Sequence, residues 1–392
     1  MRSSNTLSKD FATYSMDRYR QALEQCQSEG TYRTLPDIEV RGKYIDVEGR
    51  QLLNLNSNDY LGLLAEPQLW QRFIEEEGKR RHPSSGSSRL LTGNSPVAQQ
   101  FESELANAYG LGSALLWDSG YHANTGIPPV LALPNTLFIA DKLVHASIID
   151  GLRLSGAPFQ RYRHNDLSHL RKILTRYADQ YDTLWLITES LFSMDGDIAP
   201  LQELVALKEE YPHLYIYVDE AHAVGLFGPK GLGLAAEMGV TREIDLLIGT
   251  LGKALGSVGA YSLQSDTFRQ LLVSKARSLI FSTALPEVNV AWSRFLFHAI
   301  QEMDDRRQHL KDLVTLFGKE MGREFSSQII PLIVPGEEQV TKAAEQLCRH
   351  GFYIRPIRRP TVPQGSERLR LSLTAAMTTD EIIQLANLCN SI

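Results

Sequence analysis

The sequence predicts an α/β protein whose larger domain has a doubly wound, mostly parallel sheet, followed by a smaller C-terminal α+β domain. Between about residue 110 and residue 285, short apolar runs alternate with polar stretches of helical length. Several of these runs are apolar at consecutive positions, which is typical of strands buried on both faces of a parallel sheet. Their alternation with helices favours a doubly wound core. The runs are SALLWDS, TLFIAD, TLWLITES, LYIYVDE, DLLIGTLGK and GAYSL.

The chain before this core predicts a helix and then a strand pair. Residues 15–28 have helical spacing and the polar content of a surface helix. In KYIDVEGRQLLNLNS, apolar residues alternate on both sides of Glu48-Gly49, which indicates two strands joined by a turn. A Gly/Ser-rich stretch at 84–95 then leads into the helix PVAQQFESELANAYG.

The last hundred residues predict a second, smaller domain. A helix around 287–325 is followed by the strand-like SQIIPLIVP, the helix QVTKAAEQLCRHG, the strand-like GFYIRPI and ERLRLSLTA, and a final helix from Thr379. This order is typical of a small α+β domain. We therefore expect three parts: an N-terminal helix and short strand segment, a large α/β domain, and a small C-terminal domain. Their predicted ranges are 1–55, 56–289 and 290–392.

Composition argues against several classes of protein. The 392 residues carry a formal net charge of −6, whereas nucleic-acid surfaces are usually basic. The three cysteines form no CxxC pair and no disulfide framework, which favours a reducing compartment. The N-terminus lacks the apolar stretch of a signal peptide, and no run approaches the roughly 18 apolar residues of a membrane span. We expect a cytoplasmic protein without metal, nucleic-acid or membrane partners.

Reactive residues follow four of the predicted strands, at the sheet edge where α/β proteins bind ligands. Lys253 lies among glycines in TLGKALG, where an amine can act as a nucleophile toward an aldehyde. Asp219 ends the run LYIYVD and requires a cation or a donor if it is buried. His222, three residues later, can face the same ligand. Each of these residues, taken alone, also has an ordinary structural explanation.

The other two strand ends supply a turn and a histidine. In WDSGYHANTG, a strand ends before Gly120-Tyr121 and a helix begins, and helix N-termini bind phosphate. In ADKLVHASIIDG, His145 is flanked by small residues and could lie flat against an aromatic ligand. A lysine, a strand-end aspartate, a phosphate cradle and a stacking histidine together are what pyridoxal 5′-phosphate (PLP) requires. The set therefore predicts a PLP enzyme.

Nine long and specific segments occur along the chain: LNSNDYLGL, GSSRLLTG, SGYHAN, HASIIDGLRLSGA, ESLFSMDGDIAPL, VDEAHAVGLFGPKGLG, GTLGKALG, FSTALP and RLRLSLTAA. On these segments the chain, from about residue 30 to its end, resembles the α-oxoamine synthases. Within that family the chain is most similar to the 8-amino-7-oxononanoate synthase branch of biotin biosynthesis. The resemblance implies a fold-type I PLP-dependent transferase, with an aspartate aminotransferase-like large domain.

The resemblance also implies roles for the cofactor residues. Lys253 would carry PLP as a Schiff base and act as acid and base at the substrate α-carbon. Asp219 would pair with the pyridinium nitrogen, His222 would hydrogen-bond the phenolic oxygen, and His145 would stack on the ring. Gly120, Tyr121 and Thr250 would hold the phosphate. Ser193 would lie near the cofactor.

Further residues are implied in substrate binding and assembly. Arg370 would grip the amino-acid carboxylate, with Asn58 nearby, and Arg33 and Thr361 would contact substrate. Thr283 would reach the phosphate bound by a neighbouring subunit, so the resemblance implies a homodimer with shared active sites. The stretch 357–376 is closest to the oxononanoate synthases, although Arg359 stands where they usually have proline.

The resemblance thus implies condensation of L-alanine with a pimeloyl thioester, with loss of CO2. The acyl group could be carried on coenzyme A or on a carrier protein. Two other activities of the same family stay open, namely glycine C-acetyltransferase and serine palmitoyltransferase. A PLP aminotransferase and a catalytically inactive PLP-binding protein are more distant alternatives.

Overall fold

The computed structural model describes residues 6–359 and 361–392, with side chains described from residue 16 onward. Residues 1–5, in the first predicted part, and Pro360, in the stretch 357–376, lie outside the described residues. The strands are β1 (Glu39–Arg41), β2 (Tyr44–Val47), β3 (Arg50–Asn54), β4 (Ser113–Trp117), β5 (Thr136–Asp141), β6 (Phe159–Tyr162), β7 (Thr183–Glu189), β8 (Leu214–Asp219), β9 (Leu246–Thr250), β10 (Ala260–Gln264), β11 (Ile329–Ile333), β12 (Phe352–Tyr353), β13 (Pro356–Ile357) and β14 (Arg368–Ser372).

The α-helix α1 precedes these strands, and the other α-helices lie between or after them, as the sequence pattern predicts. They are α1 (Thr6–Ser28), α2 (Pro67–Glu76), α3 (Pro96–Tyr109), α4 (Gly120–Gly126), α5 (Pro128–Leu131), α6 (Ala146–Ser155), α7 (Leu167–Tyr177), α8 (Leu201–Glu210), α9 (Leu234–Glu237), α10 (Asp266–Lys275), α11 (Arg277–Ile280), α12 (Glu287–Gln301), α13 (Asp304–Met321), α14 (Glu337–Arg349) and α15 (Thr379–Cys389). Among the described residues, we find no helix with the length and apolar character needed to cross a membrane.

A seven-stranded sheet in the order β4-β10-β9-β8-β7-β5-β6 forms the centre of the protein. Only β10 runs against its neighbours, so the sheet is mostly parallel, which confirms the predicted fold class. All residues of β5 are buried, as expected for a strand covered on both faces. Because β4, β5, β7, β8 and β9 point the same way, their carboxyl ends meet at one edge of the sheet.

Helices α4, α5 and α6 pack on one face of this sheet through a buried apolar cluster. Alternate residues of each strand face the cluster, as the period of a strand requires. Ile148 and Leu152 of α6 and Val130 of α5 enter it from the helix side. The strand residues in the cluster are Leu115, Trp117, Phe138, Ala140, Trp185, Ile187, Tyr217, Leu246, Ile248 and Ala260.

The chain groups into two compact units. The first lies within segments 1–40, 44–54 and 331–370, and the second within 41–43, 55–330 and 371–392. The N-terminal segment joins residues from the last quarter of the chain because β3 and β12 pair in parallel, with Leu53 opposite Phe352. The predicted division at residues 55 and 289 does not follow these units and stays a prediction.

The predicted strand pair is the hairpin of β2 and β3. Val47 pairs with Arg50, so the turn consists of Glu48 and Gly49 alone. Both have positive φ, 52° and 76°, as a type I′ turn requires. The Gly49 N–H donates to Asp46 Oδ1 at 2.9 Å. This carboxylate therefore supports a turn whose first residue lacks the usual Asn, Asp or Gly.

Candidate active site

A cavity of about 180 Å³ lies at the carboxyl edge of the large sheet. Seven of the residues predicted from the sequence line it, although they come from four different strand ends. The cavity also has four lining residues that the sequence reasoning did not single out. The predicted residues are Gly120, Tyr121, His145, Asp219, His222, Thr250 and Lys253, and the others are Asn124, Ser147, Glu189 and Ala221.

Lys253 begins a chain of hydrogen bonds that ends at Asn58. Its Nζ lies 2.8 Å from His222 Nε2, and His222 Nδ1 lies 2.7 Å from the Tyr60 hydroxyl. That hydroxyl donates to Asn58 Oδ1 at 2.9 Å. Because the Tyr60 hydroxyl donates its single hydrogen to Asn58, it must accept a hydrogen bond from His222. His222 Nδ1–H therefore donates to the Tyr60 oxygen. His222 Nε2 is then the acceptor that receives a hydrogen from Lys253.

Tyr60 belongs to the same hydrogen-bond chain, although the sequence reasoning did not select it. It is fully buried. Its position in the family-like segment LNSNDYLGL was the available signal, but only Asn58 of that segment was selected. The structure shows that Tyr60 is the link between the two predicted residues Asn58 and His222.

Asp219 ends β8 and is held by two donors. The Ala221 N–H donates to its Oδ1 at 2.9 Å, and Asn124 Nδ2 donates to its Oδ2 at 2.8 Å. Only 4% of Asp219 is exposed. Both donors are neutral, so the carboxylate is oriented without a cation from either of them. It can therefore serve a positively charged group in the cavity.

His145 is the residue before α6, and its ring caps that helix. The Ser147 N–H donates to His145 Nδ1 at 3.2 Å, and Ser147 Oγ lies 2.7 Å from the same atom. Burial lowers the pKa of His145, and Lys253 adds to this effect, while Asp219 opposes it. A neutral ring whose Nδ1 accepts the Ser147 N–H must carry its hydrogen on Nε2. His145 therefore offers Nε2–H as a donor.

The predicted phosphate cradle lies where β4 leads into α4. Ser119 Oγ accepts the His122 N–H at 3.1 Å and caps the helix. A Cβ built on Gly120 would meet no atom of the described residues within 4 Å, so the turn borders open space. The Tyr121 hydroxyl donates to Asp150 Oδ2 at 2.7 Å. The Thr250 hydroxyl donates to the Gly259 carbonyl at 3.2 Å.

Ser193 lies in the loop after β7 and is not among the residues that line the cavity. An ion-pair cluster around the partly buried His164 anchors this loop. His164 Nδ1 lies 2.9 Å from Asp141 Oδ1, and His164 Nε2 lies 2.6 Å from Asp197 Oδ2. Burial opposes the charge on His164, but hydrogen bonds to Asp141 and Asp197 raise its pKa to about 10. His164 thus joins the end of β5 to the loop that carries Ser193.

The other predicted residues lie in different places. Arg33 donates to Thr361 Oγ1 at 3.3 Å, so two predicted substrate residues meet in the first unit. Arg370 lies on β14 in the same unit and is 9% exposed. Thr283 is exposed in the segment between α11 and α12. The roles of all these residues stay predictions.

The groups around the cavity fit PLP. Lys253 supplies the primary amine that an aldehyde needs, and the Asp219 carboxylate suits a protonated pyridine nitrogen. The imidazole of His145 provides an aromatic surface, and the turn at Gly120 leaves open space before a helix N-terminus. Among the described residues, no cluster of His, Cys, Asp and Glu is suited to a metal ion.

The model for aminotransferase class I and II matches residues 50–388 of the chain. The chain belongs to this family. A Neisseria meningitidis protein named "Putative 8-amino-7-oxononanoate synthase" is 48% identical over 378 residues, covering 95% of this chain and 99% of that protein. A Haemophilus influenzae protein of the same name is 48% identical over 380 residues, with 95% and 99% covered.

Two solved structures of the same fold are similar over most of the chain. Serine palmitoyltransferase from S. paucimobilis, with a bound PLP–myriocin aldimine, has a TM-score of 0.85 at 26% identity, covering 99% of this chain and 98% of its own. The 8-amino-7-oxononanoate synthase from Francisella tularensis has a TM-score of 0.72 at 27% identity, covering 87% and 97%. These matches confirm the predicted resemblance, fold, PLP cofactor and class of PLP-dependent acyltransferase.

Glu189 ends β7 opposite Asp219 of β8 and is 3% exposed. Burial raises its pKa well above the usual value, and the negative charge of Asp219 adds to this effect. A group whose pKa is raised by folding stabilises the fold at low pH, and this stabilisation is lost as the pH rises through the folded-state pKa. Glutamine mimics the protonated acid at every pH.

We therefore expect Glu189→Gln to gain thermal stability relative to the wild type as the pH rises from 5 to 9. Differential scanning calorimetry at several pH values measures this difference in Tm. Glu203→Gln, at an exposed position of α8, is the matched control and should show a difference that is flat with pH. A Glu189→Gln variant that loses relative stability as the pH rises would contradict the assignment of a protonated Glu189.

Proposed function

We propose that the protein condenses L-alanine with a pimeloyl thioester to give 8-amino-7-oxononanoate, the free thiol and CO2, in biotin biosynthesis. The observation that carries the proposal is the 48% identity to proteins named for this synthase, over 95% of the chain. The serine palmitoyltransferase from S. paucimobilis is similar in fold but only 26% identical. Identity along the sequence therefore favours the synthase over the palmitoyltransferase.

Lys253 is the proposed acid and base of the reaction. When bound, PLP supplies an electron sink for negative charge at the substrate α-carbon. The Asp219 carboxylate holds a proton on the pyridine nitrogen. Lys253 Nζ accepts the α-proton of alanine, and its contact with His222 Nε2 holds the amine in position. The same amine returns a proton to the α-carbon after CO2 has left.

His145 is the proposed donor to the acyl carbonyl oxygen. The alanine α-carbon forms a bond to the carbonyl carbon of the thioester, and the carbon–sulfur bond breaks to release a thiolate, which takes a proton from solvent to become the thiol. Negative charge develops on the carbonyl oxygen during this step. The hydrogen on His145 Nε2 can stabilise that charge without a proton transfer, a term that is large where water is excluded. The bond to the alanine carboxylate then breaks and releases CO2.

The substrate carboxylate is proposed to bind Arg370, with Asn58 nearby, as the family resemblance implies. A guanidinium group binds a carboxylate through two parallel hydrogen bonds. Arg33 and Thr361 are proposed to contact substrate as a pair, since they hydrogen-bond to each other. Arg359, where the synthases usually have proline, adds a charge beside Arg358.

A homodimer with shared active sites is part of the proposal. Thr283 is exposed, as a residue that contacts a partner subunit must be before assembly. Two large apolar side chains are also exposed. Phe281, two residues before Thr283, is 71% exposed, and Leu91 is 78% exposed. The Ala284 N–H donates to the Ser87 carbonyl at 3.0 Å, so the segment that contains Phe281 lies close to the segment that contains Leu91. Large apolar side chains that stay exposed near each other are candidates for an interaction surface.

The cytoplasm is the proposed location. The three cysteines, Cys26, Cys348 and Cys389, are all free thiols. Free and sparse cysteines are typical of proteins from a reducing compartment.

Thiol release with matched pairs of substrates tests the proposed reaction. We expect L-alanine with pimeloyl-CoA or a pimeloyl carrier protein to turn over far better than glycine with acetyl-CoA or L-serine with palmitoyl-CoA. Comparing the two pimeloyl donors identifies the carrier. If either rival pair turns over better, the biotin assignment is wrong. Transfer of the amino group from alanine to a keto acid would instead indicate an aminotransferase, and no turnover with any pair would indicate a PLP-binding protein.

A further inference from the structure

Asn124 occupies the centre of a buried hydrogen-bond network beside the cavity. It lies on α4 and is 1% exposed. Its Nδ2 donates to Asp219 Oδ2 at 2.8 Å and to Ser147 Oγ at 3.0 Å. The Tyr217 hydroxyl donates to its Oδ1. Both hydrogens of the amide nitrogen are therefore used, one for each acceptor.

The orientation of this amide is fixed by its neighbours. Tyr217 is fully buried on β8, and burial raises the pKa of its hydroxyl well above the usual value, so the hydroxyl stays a donor. A rotated amide would place Oδ1 against the Asp219 carboxylate, which also only accepts. Two facing acceptors repel, and two buried groups would lose their partners. Asp219, which only accepts, thus selects the orientation in which Asn124 donates to it, and the Tyr217 hydroxyl holds the amide there by donating to Oδ1.

The second branch of the network runs from Asn124 to His145. Ser147 is fully buried, and its hydroxyl has a single hydrogen. Since Ser147 Oγ accepts from Asn124, that hydrogen is free to be given to His145 Nδ1, 2.7 Å away. The Ser147 N–H donates to the same Nδ1 atom. Two donors on Nδ1 keep the ring hydrogen on Nε2.

We propose that Asn124 is a positioning residue that holds the Asp219 carboxylate directly and the His145 ring through the Ser147 hydroxyl. One amide group thereby aligns the carboxylate that serves the pyridine nitrogen and the donor that serves the acyl oxygen. The inference rests on the proposed function and deepens it. It assigns no contact between Asn124 and substrate, because its effect passes through Asp219 and Ser147.

Three variants separate the two branches. Asn124→Ala removes both, Ser147→Ala removes the hydroxyl link to His145 and keeps the backbone N–H that donates to Nδ1, and Tyr217→Phe removes the donor to the amide oxygen. Tyr261→Phe is the matched control. It also deletes the hydroxyl of a buried tyrosine on the large sheet. In the wild type this hydroxyl lies 2.7 Å from the Tyr109 hydroxyl of α3.

Two measurements on the holoenzyme need no acyl donor. Equilibrium dialysis gives the dissociation constant of PLP, and NMR in D2O gives the rate at which alanine exchanges its α-proton. We expect Asn124→Ala to weaken PLP binding and to slow exchange by about 10- to 100-fold each, the effect of losing a hydrogen bond to a charged group. Tyr217→Phe should shift both values in the same direction by less, and Tyr261→Phe should match the wild type.

A third measurement tests the branch to His145. Condensation is followed by thiol release, with whichever thioester the wild type uses best. Ser147→Ala should lower the condensation rate more than the exchange rate, because only condensation develops charge on an acyl oxygen. A loss of folded protein would instead lower the two rates in equal proportion.

Two results would overturn the inference. The first is Asn124→Ala with PLP affinity and exchange at wild-type values. The second is Ser147→Ala with equal losses of exchange and condensation. If Asn124→Ala does not fold, Tyr217→Phe with unchanged PLP affinity and exchange decides against the inference. A wild type that binds PLP and exchanges alanine, but does not use a pimeloyl thioester, would refute the proposed function and leave this test intact.

Discussion

Lys253→Ala is expected to lower the rate of condensation by at least about 10,000-fold, the upper range for loss of a general acid–base group. The variant loses the amine that binds the cofactor and moves the α-proton. His222, whose Nε2 lies 2.8 Å from Nζ in the wild type, cannot take over these roles because its ring is not carried on a long flexible chain like that of lysine. Initial rates of thiol release, measured with saturating PLP, test this expectation.

Borohydride reduction provides a readout that is independent of turnover. Reduced wild-type protein should carry the cofactor mass on the peptide that contains Lys253, and reduced Lys253→Ala should carry none. Lys275→Ala, at the exposed end of α10, is the control and should behave as the wild type. Cofactor mass on a wild-type peptide without Lys253 would refute the assignment.

His164→Gln is expected to destabilise the protein by about 2 kcal/mol at pH 6, because it removes a charged hydrogen-bond partner from the buried Asp141 carboxylate. The variant leaves Asp141, which is fully buried, without the cation beside it. The pKa of His164 is raised to about 10 in the folded protein, above its unfolded value of about 6.5. Its stabilisation is therefore complete below pH 6.5 and is lost as the pH rises through 10.

Thermal melts of wild type and His164→Gln from pH 6 to pH 10 measure this effect. The difference in Tm should be largest at pH 6 and should shrink toward pH 10. His213→Gln is the control, because the His213 ring contacts the Ala178 carbonyl at 3.1 Å rather than a carboxylate. A His164→Gln difference that stays constant across this range would show that the ion pairs do not stabilise the loop after β7.

Most of the large sheet could be predicted because its central strands are buried on both faces. The apolar runs of β4, β5, β7, β8, β9 and β10 all form strands where the sequence places them. β6 was missed because it is the edge strand, and its sequence FQRY has only one buried residue. The antiparallel direction of β10 could not be predicted, because an apolar run does not indicate in which direction a strand pairs. The pairing of β3 with β12 was missed because the sequence around a strand does not identify a pairing partner that lies about 300 residues away.

The site could be predicted to the level of residues that end strands. Lys253, Asp219 and His145 stand out because reactive side chains follow apolar runs. Asn124 and Ser147 were missed although both lie in quoted segments, because an asparagine or a serine has many ordinary roles. Their importance depends on which acceptors lie within 3 Å, and this is fixed by the packing of α4 and α6 on the sheet.

The pairing of β3 with β12 has a consequence for synthesis on the ribosome. Leu53 and Phe352 are about 300 residues apart, so at 5–20 residues per second β3 waits roughly 15–60 s for its partner to be made. Throughout that time the hairpin of β2 and β3 has one unpaired edge, a template for pairing with other chains. The first unit therefore completes late during translation, and its N-terminal segment keeps an open strand edge until residues near Phe352 have been made.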